Sequence, residues 1–186
     1  MARIFLFRHA QTTDNLNGVF SGKRDPDLTE SGIEEAQKIR DQLKEEKVTK
    51  AYCASNKRTK HTLEIVLEPH GGTEIVVADP RIRERDYGDL TGKSKKKTEE
   101  LYPKEYALWH RGYDSPPPNG ESMREVEKRV LEFLKEVLAN VWQNDVIFIS
   151  ASGNSLRPIR RYFEKMTDFQ MASFEHEPGK IYTYEV

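Results

Sequence analysis

The sequence predicts an α/β fold: three layers, α/β/α, around a mostly parallel central sheet, with a small helical and loop cap. Three observations predict it. Short apolar runs alternate along the chain with longer amphipathic stretches, the pattern of strands joined by crossover helices. One run, Val146-Ile147-Phe148-Ile149, is apolar without alternation, as a strand buried on both faces must be. Two of the runs lead directly into arginine-bearing segments, at Arg8 and at Arg58, and the carboxyl ends of the strands are where open α/β sheets bind ligands.

Length and composition narrow the class. A chain of 186 residues is read as one domain with a substantial core. Thirty basic residues face thirty-one acidic ones, a balance that argues against bulk nucleic-acid binding. Cys53 is the single cysteine, so neither a disulfide framework nor a cysteine-rich metal site is available. The N-terminal apolar stretch is too short for a signal peptide and no run approaches a membrane span, so a soluble cytoplasmic protein is the default expectation.

The elements follow in order. Ile4 to Phe7 reads as a buried strand that delivers Arg8 and His9 side by side. Gln11 to Asp27, with Gly18, Gly22 and Pro26, reads as a loop. Thr29 is placed to cap a helix running to about Lys47, with Ile33, Ala36, Ile39 and Leu43 on its apolar face. Val48 to Ala54 is a second strand. A helix follows Ser55-Asn56-Lys57-Arg58, with Leu63, Val66 and Leu67 inward and Pro69 as its stop, and on it His61 reads as a surface residue. Glu74 to Ala78 is a third short strand. Lys97 to His110 is helical with a break at Pro103, and Trp109 to Pro118 is a stiff extended loop. Asn119 to Ser122 leads into a long helix marked by Val126, Val130, Phe133, Val137 and Val141. Asp145 to Ala151 is the central strand. The next helix opens at Ser152-Gly153-Asn154-Ser155-Leu156-Arg157 and carries Leu156, Ile159, Phe163 and Met166, and Ile181 to Val186 closes the sheet.

Adjacent Arg8 and His9 at a strand end suggest a phosphate pocket. A neutral imidazole nitrogen can attack phosphorus and hold the phosphoryl group, while a guanidinium neutralises its oxygens in bidentate fashion. Arg58, at a helix start, offers a second guanidinium where free N–H groups and the dipole already favour anions. Asn15, Asn17 and Ser21 are donors to an anion or simply turn formers. Glu84, among Arg81, Arg83 and Arg85, is either a general acid/base beside the pocket or part of a surface ion-pair cluster. Lys93 and Lys95 to Lys97 form a basic run that reads as a solvated face, with one lysine able to reach an acidic substrate.

Taken together, Arg8-His9, then Arg58, then Glu84, each in its order and context, resemble the histidine phosphatase superfamily over nearly the whole chain. The resemblance is closest to its cofactor-dependent phosphoglycerate mutase branch. It is carried by Phe20-Ser21-Gly22, by Tyr87-Gly88, Gly92 and Lys95, by Trp109, Arg111, Tyr113-Asp114 and Pro116-Pro117-Pro118, and by Gly153-Asn154-Ser155-Leu156-Arg157. It implies that His9 is the phosphohistidine nucleophile, that Arg8 and Arg58 hold the transferring phosphoryl group, and that Glu84 shuttles the proton. Asn15, Ser21, Gly22, Gly153 and the Asn154 backbone would line the pocket. Tyr87, Lys95 and Arg111, with His110 beside them, would hold the carboxylate and second phosphate of a phosphoglycerate. It also implies residues 84–125 as a cap or specificity insertion, a small phosphorylated substrate, 2,3-bisphosphoglycerate as the primer of the histidine, no metal, no nucleic acid and no membrane. A homodimer is left open, since the helix faces show no clear dimer stripe.

Three departures from the family pattern stand out. The resemblance places a second catalytic histidine just before Gly153, and Ser152 stands there. A serine hydroxyl donates one hydrogen bond but carries no charge, and losing such a stabiliser costs on the order of a hundredfold in turnover. Impaired activity is therefore expected, and the intact run from Gly153 to Arg157 favours a single recent or deliberate change over long decay. Ala10 replaces a glycine, and His110 replaces one of two adjacent arginines. The chain also lacks an insertion after the proline-rich loop, so a more open site would admit water to the phosphohistidine. The leading expectation is a phosphoglycerate mutase. The alternatives are a histidine-type phosphomonoester phosphatase and a non-catalytic phospho-ligand binder.

Overall fold

The computed structural model describes residues 1–71 and 76–186. Among these residues five strands form one sheet: β1 (Arg3–Arg8), β2 (Lys50–Cys53), β3 (Val76–Ala78), β4 (Val146–Ala151) and β5 (Ile181–Glu185), in the order β3-β2-β4-β1-β5. β1, β2, β3 and β4 are mutually parallel where they pair, and only β5 runs antiparallel, along the edge of β1.

Among the described residues there are eight α-helices: α1 (Thr13–Leu16), α2 (Glu30–Leu43), α3 (Lys57–Leu67), α4 (Lys95–Leu101), α5 (Pro103–Arg111), α6 (Met123–Ala139), α7 (Gly153–Glu164) and α8 (Asp168–Ser173). Strand alternation sorts the core into two faces. Ile4, Leu6, Ile147 and Ile149 pack with Val126, Val130 and Phe133 of α6 and Leu156 and Ile159 of α7. Phe5, Phe7 and Phe148 point the other way, onto Ile39 and Leu43 of α2 and Leu63, Val66 and Leu67 of α3. Phe148, on the central strand, meets Phe5 and Phe7 edge to face, the arrangement ring quadrupoles favour. The three layers expected from the sequence are thus present, with β4 buried at every position.

Several boundaries differ for local physical reasons. The loop after β1 contains a helical turn, α1, because Thr12 and Asn15 close a capping box. α2 stops at Leu43 rather than Lys47, since Lys44-Glu45-Glu46-Lys47 offers no apolar residue to hold another turn, and Glu46 instead pairs with Arg3. Pro103 divides the predicted helix into α4 and α5, and α5 runs on through Trp109, His110 and Arg111, shortening the extended loop. Val141 and Met166 pack on the core from beyond their helices. α8 was not expected at all, and it is fixed by a capping box between Thr167 and Gln170. The predicted strand at Glu74 to Ala78 begins in residues outside those described, and Val76–Ala78 is strand. His61 is exposed, as expected.

Candidate active site

The parallel strands β1, β2 and β4 end on one edge, and the candidate residues gather there. Arg8 lies opposite Ala151 in the register, and the His9 backbone N–H donates to the Ala151 carbonyl at 3.1 Å. That bond sets the first residue after β1 beside the first residues of α7. His9 is 3% exposed. Its Nδ1 lies 2.8 Å from the Ala10 carbonyl, which can only accept, so Nδ1 carries the proton and Nε2 keeps its lone pair. Burial, then Arg8 and Arg58, hold the imidazole's pKa well below its ordinary value. The ring is neutral with one nucleophilic nitrogen. Thr62 fixes its neighbourhood: its hydroxyl accepts from the Ala10 N–H at 3.0 Å and donates to the Arg58 carbonyl at 2.7 Å.

Arg58 is almost fully buried and donates to the Arg24 carbonyl at 2.8 Å. Glu84 accepts from the Arg85 N–H at 2.8 Å and from the Asn154 amide at 2.9 Å. Burial pushes its pKa up, but Arg58, the Arg85 N–H, Asn154 and Arg8 outweigh that, and the carboxylate is ionised with a lowered pKa. The surface ion-pair alternative for this segment does not hold, because Arg85 is fully buried. From α6, Arg129 grips the carbonyls of Arg81 at 2.5 Å, Arg83 at 3.0 Å and Glu84 at 3.3 Å. Glu84 is thereby held on a clamped backbone.

These groups border a cavity of about 540 Å³, counting its open mouth, lined by polar side chains. Arg8, Asn15, Ser21, Glu84, Tyr87, Lys95, His110, Arg111, Gly153 and Asn154 are all on its wall. His9 and Arg58 are buried beside it rather than exposed on it. Gly22 shapes the wall from behind: its φ is +51°, and a Cβ there would lie 2.7 Å from the Thr91 hydroxyl. Asn154 contributes through its side chain, whose amide joins Glu84 to the Tyr87 hydroxyl at 2.9 Å. Of the lysine run, Lys95 reaches the cavity while Lys96 and Lys97 are exposed. His110 is neutral, its pKa pushed down to about 3 by burial and by Arg111 and Lys95. Ser152, like His9, sits behind the cavity lining. It is fully buried at the start of α7, off the cavity wall, and its hydroxyl has no hydrogen-bond partner.

Besides the apolar Val19 and Phe20, three lining residues were not singled out as site residues from the sequence: Arg157, Glu175 and His176. Arg157 lay within a quoted motif. It is buried, and it donates to the carbonyls of Met171 at 2.8 Å and Ala172 at 2.9 Å. That anchors the segment after α8 against the site. Glu175 pairs with Arg111. The wall therefore carries four cations, Arg8, Lys95, Arg111 and Arg157, against two carboxylates, Glu84 and Glu175. Among the described residues there is no cluster of three or more side chains able to hold a metal, and no helix is long and apolar enough to cross a membrane.

A neutral imidazole with one free lone pair between arginines, at the carboxyl edge of a parallel sheet, is an arrangement able to receive an anionic phosphoryl group. The histidine phosphatase superfamily (branch 1) profile matches residues 4–186, and the chain belongs to that superfamily and is an enzyme of it. It is 38% identical to the 2,3-bisphosphoglycerate-dependent phosphoglycerate mutase of Nitrobacter hamburgensis, over 98% of this chain and 91% of that protein. It is 36% identical to the protein of the same name from Parvibaculum lavamentivorans, over 98% and 90%. Among solved structures it is similar to the α-ribazole phosphatase of Shigella flexneri, with a TM-score of 0.86, 24% identity, and 99% and 90% of the two chains covered. A mycobacterial glucosyl-3-phosphoglycerate phosphatase gives a TM-score of 0.84 at 22% identity, over 93% and 85%. These structures share the fold.

Proposed function

We propose that the chain is a 2,3-bisphosphoglycerate-dependent phosphoglycerate mutase that interconverts 3-phosphoglycerate and 2-phosphoglycerate through phospho-His9. The observation that carries this reading is the surplus of cations on the cavity wall. A single phosphomonoester is served by Arg8 and Arg58. Lys95 and Arg111 add charge that a substrate with a carboxylate and a second phosphate would use. The mutase names of relatives at 36–38% identity support it.

The residues divide the work. The Nε2 lone pair of His9 forms the bond to phosphorus as the ester P–O bond breaks. Arg8 and Arg58 spread the charge of the equatorial oxygens. Glu84, ionised in the free site, takes the proton from the substrate hydroxyl that next attacks the phosphohistidine, and returns a proton to the departing oxygen in the reverse direction. The wall also suits a bisphosphorylated acid: Arg8 Nε is buried without a partner, and the cations outnumber the carboxylates. 2,3-Bisphosphoglycerate, when bound, supplies the phosphoryl group that primes His9. Residues 84–125, which carry Tyr87, Lys95, His110 and Arg111, act as the specificity element, and a cytoplasmic location follows from this glycolytic role.

The second reading, a phosphomonoester phosphatase, is favoured by His110, which brings a neutral ring to the wall where the mutase branch has an arginine. The deciding assay is 2-phosphoglycerate formation from 3-phosphoglycerate with and without 2,3-bisphosphoglycerate, with free phosphate followed in parallel. Primer-dependent isomerisation supports the mutase, and phosphate release without isomerisation moves the assignment to phosphatase.

A further inference from the structure

We propose that His176, carried between α8 and β5, is the second imidazole of the phosphoryl site and donates a ring N–H to the phosphoryl group transferred through His9. The inference rests on the phosphoryl-transfer reading of the cavity and does not depend on which phosphomonoester is the substrate.

Position comes first. His176 lines the same cavity as Arg8, Glu84 and Asn154. Its Nε2 is 2.7 Å from the Gly153 carbonyl. A carbonyl only accepts, so Nε2 carries the proton. Gly153 marks the meeting point: a Cβ built there would be 3.3 Å from Nε2 and Cδ2 of His176 and 3.3 Å from Nε of Arg8. The N–H edge of the imidazole and the Arg8 guanidinium thus converge over one residue that has no side chain to separate them.

Unmet hydrogen-bonding capacity comes next. Arg8 Nε, Ser152 Oγ and His176 Nδ1 are all buried without partners. A buried polar group left unpaired costs about 1–3 kcal/mol, and the Arg8 Nε–H is a donor that an anionic ligand would complete, whereas His176 Nδ1, unprotonated in this tautomer, holds a lone pair. Arg8 Nε and the His176 ring flank the phosphoryl cavity. Ser152 Oγ, like His9, is buried just behind the lining. Position 152, to which the family resemblance assigns an imidazole, carries none, and His176 supplies one from another part of the chain.

The surroundings set the chemistry. Burial, then Arg157 and Arg8, push the His176 pKa down to about 2, so the ring waits as a neutral donor. Phe174 packs edge to face on it at 4.9 Å and holds its plane. A phosphoryl oxygen, being anionic, is a stronger acceptor than the Gly153 carbonyl, and the Nε2–H turns to it when the group binds. In the transfer, the His9 Nε2–P bond forms and the ester P–O bond breaks. The leaving oxygen takes its proton through Glu84, which, ionised in the free site, first accepts that proton from solvent, and His176 keeps its own proton throughout.

The test uses orthovanadate, which mimics the five-coordinate phosphoryl group, and p-nitrophenyl phosphate, which any active phosphohistidine site can cleave. Four proteins are compared: the unmodified chain, His176→Ala, Ser152→His and the double variant. His176→Ala should lose on the order of a hundredfold in vanadate affinity and in His9 phosphorylation rate, with KM for p-nitrophenyl phosphate changing far less than kcat. Adding Ser152→His to His176→Ala should recover at least tenfold of that loss. Ser152→His alone should add little, because a second imidazole is already present. Should the alanine variant fail to fold, His176→Gln, which keeps one N–H for the Gly153 carbonyl, is read by the same criteria with a tenfold loss expected. Equal vanadate affinity and phosphorylation rate, within threefold, in the unmodified and His176 variants would overturn the assignment of His176. Failure of vanadate to bind the unmodified chain would overturn the phosphoryl-transfer reading itself.

Discussion

The floor of the site and its outer wall are built in different ways. The floor, His9, Arg58 and Glu84, is set by backbone: His9 by the β1–β4 register, Arg58 by the first turn of α3, and Glu84 by the Arg129 clamp on its own carbonyl and those of Arg81 and Arg83. Its side chains are neutralised or paired before any ligand arrives. The outer wall, Lys95, His110, Arg111 and Glu175, comes from α4, α5 and the segment after α8. Its contacts are single and partly exposed, such as the Arg111–Glu175 pair, whose carboxylate is 76% exposed. A rigid floor suits chemistry, which needs fixed geometry. A loosely tied wall suits selection among anions.

If that division is right, floor substitutions should abolish turnover without unfolding the protein. His9→Gln should lower kcat by about 10⁵-fold, on the scale seen when a covalent nucleophile is removed, and should abolish acid-labile phosphoprotein on priming. A residual rate within a hundredfold of the parent would sink the nucleophile assignment. Glu84→Gln should cost about 10²–10⁴-fold, the usual range for a proton shuttle. The loss should be smaller for substrates with a good leaving group such as p-nitrophenyl phosphate, which needs little protonation. An equal loss on both substrates would make Glu84 a structural residue.

The same division explains what could be read from the sequence. Arg8, His9 and Arg58 were recognisable because a strand end is a local feature, and the rule that ligands bind at carboxyl ends of parallel strands needs no tertiary knowledge. The two-faced core was equally plain in Val146 to Ile149. Glu175 and His176 gave no such signal. They lie in an irregular stretch whose path depends on Arg157 catching the carbonyls of Met171 and Ala172, and on Arg160 packing over Phe174. The one hint was His176 itself, a histidine between two glutamates just before Pro178-Gly179, and nothing local tied it to a site 167 positions earlier in the chain, at His9. Sequence order placed Ser152 just before Gly153, but nothing local showed that its hydroxyl would be buried without a partner.

Wall substitutions should act on binding rather than turnover. Glu175→Gln removes the carboxylate that occupies Arg111, the group we propose binds the substrate carboxylate. KM for 3-phosphoglycerate should fall about three- to tenfold, and kcat should stay within twofold. Arg111→Ala should raise KM about tenfold or more, the worth of roughly 1.4 kcal/mol. A fall in kcat matching either KM change would place these residues in the chemistry and erase the contrast with the floor.

The smallest effect separates wall and floor by pH. His110 is kept neutral in the folded chain, with its pKa near 3, whereas an unfolded histidine titrates at about 6.5. The unfolded chain therefore takes up a proton as pH falls below about 6.5, and the folded chain does not follow until about 3. The stability this group contributes is complete above 6.5 and is lost as pH falls through that window. Glu84, with a lowered carboxylate pKa, loses its contribution in the same direction but only below about 4.5, where an unfolded glutamate begins to protonate. His110→Gln should therefore flatten the decline in Tm between pH 7 and pH 5. After discounting for its partial exposure, the recovered stability at pH 5 is about 1 kcal/mol, or about 2–4 °C for a chain of this size. Glu84→Gln should leave that interval unchanged and alter only the more acidic one. Melting curves of the three proteins at pH 7, 5 and 4 resolve the two windows. If His110→Gln melts in parallel with the parent across all of them, the imidazole is hydrated in the folded state, and the wall at that point is open to water.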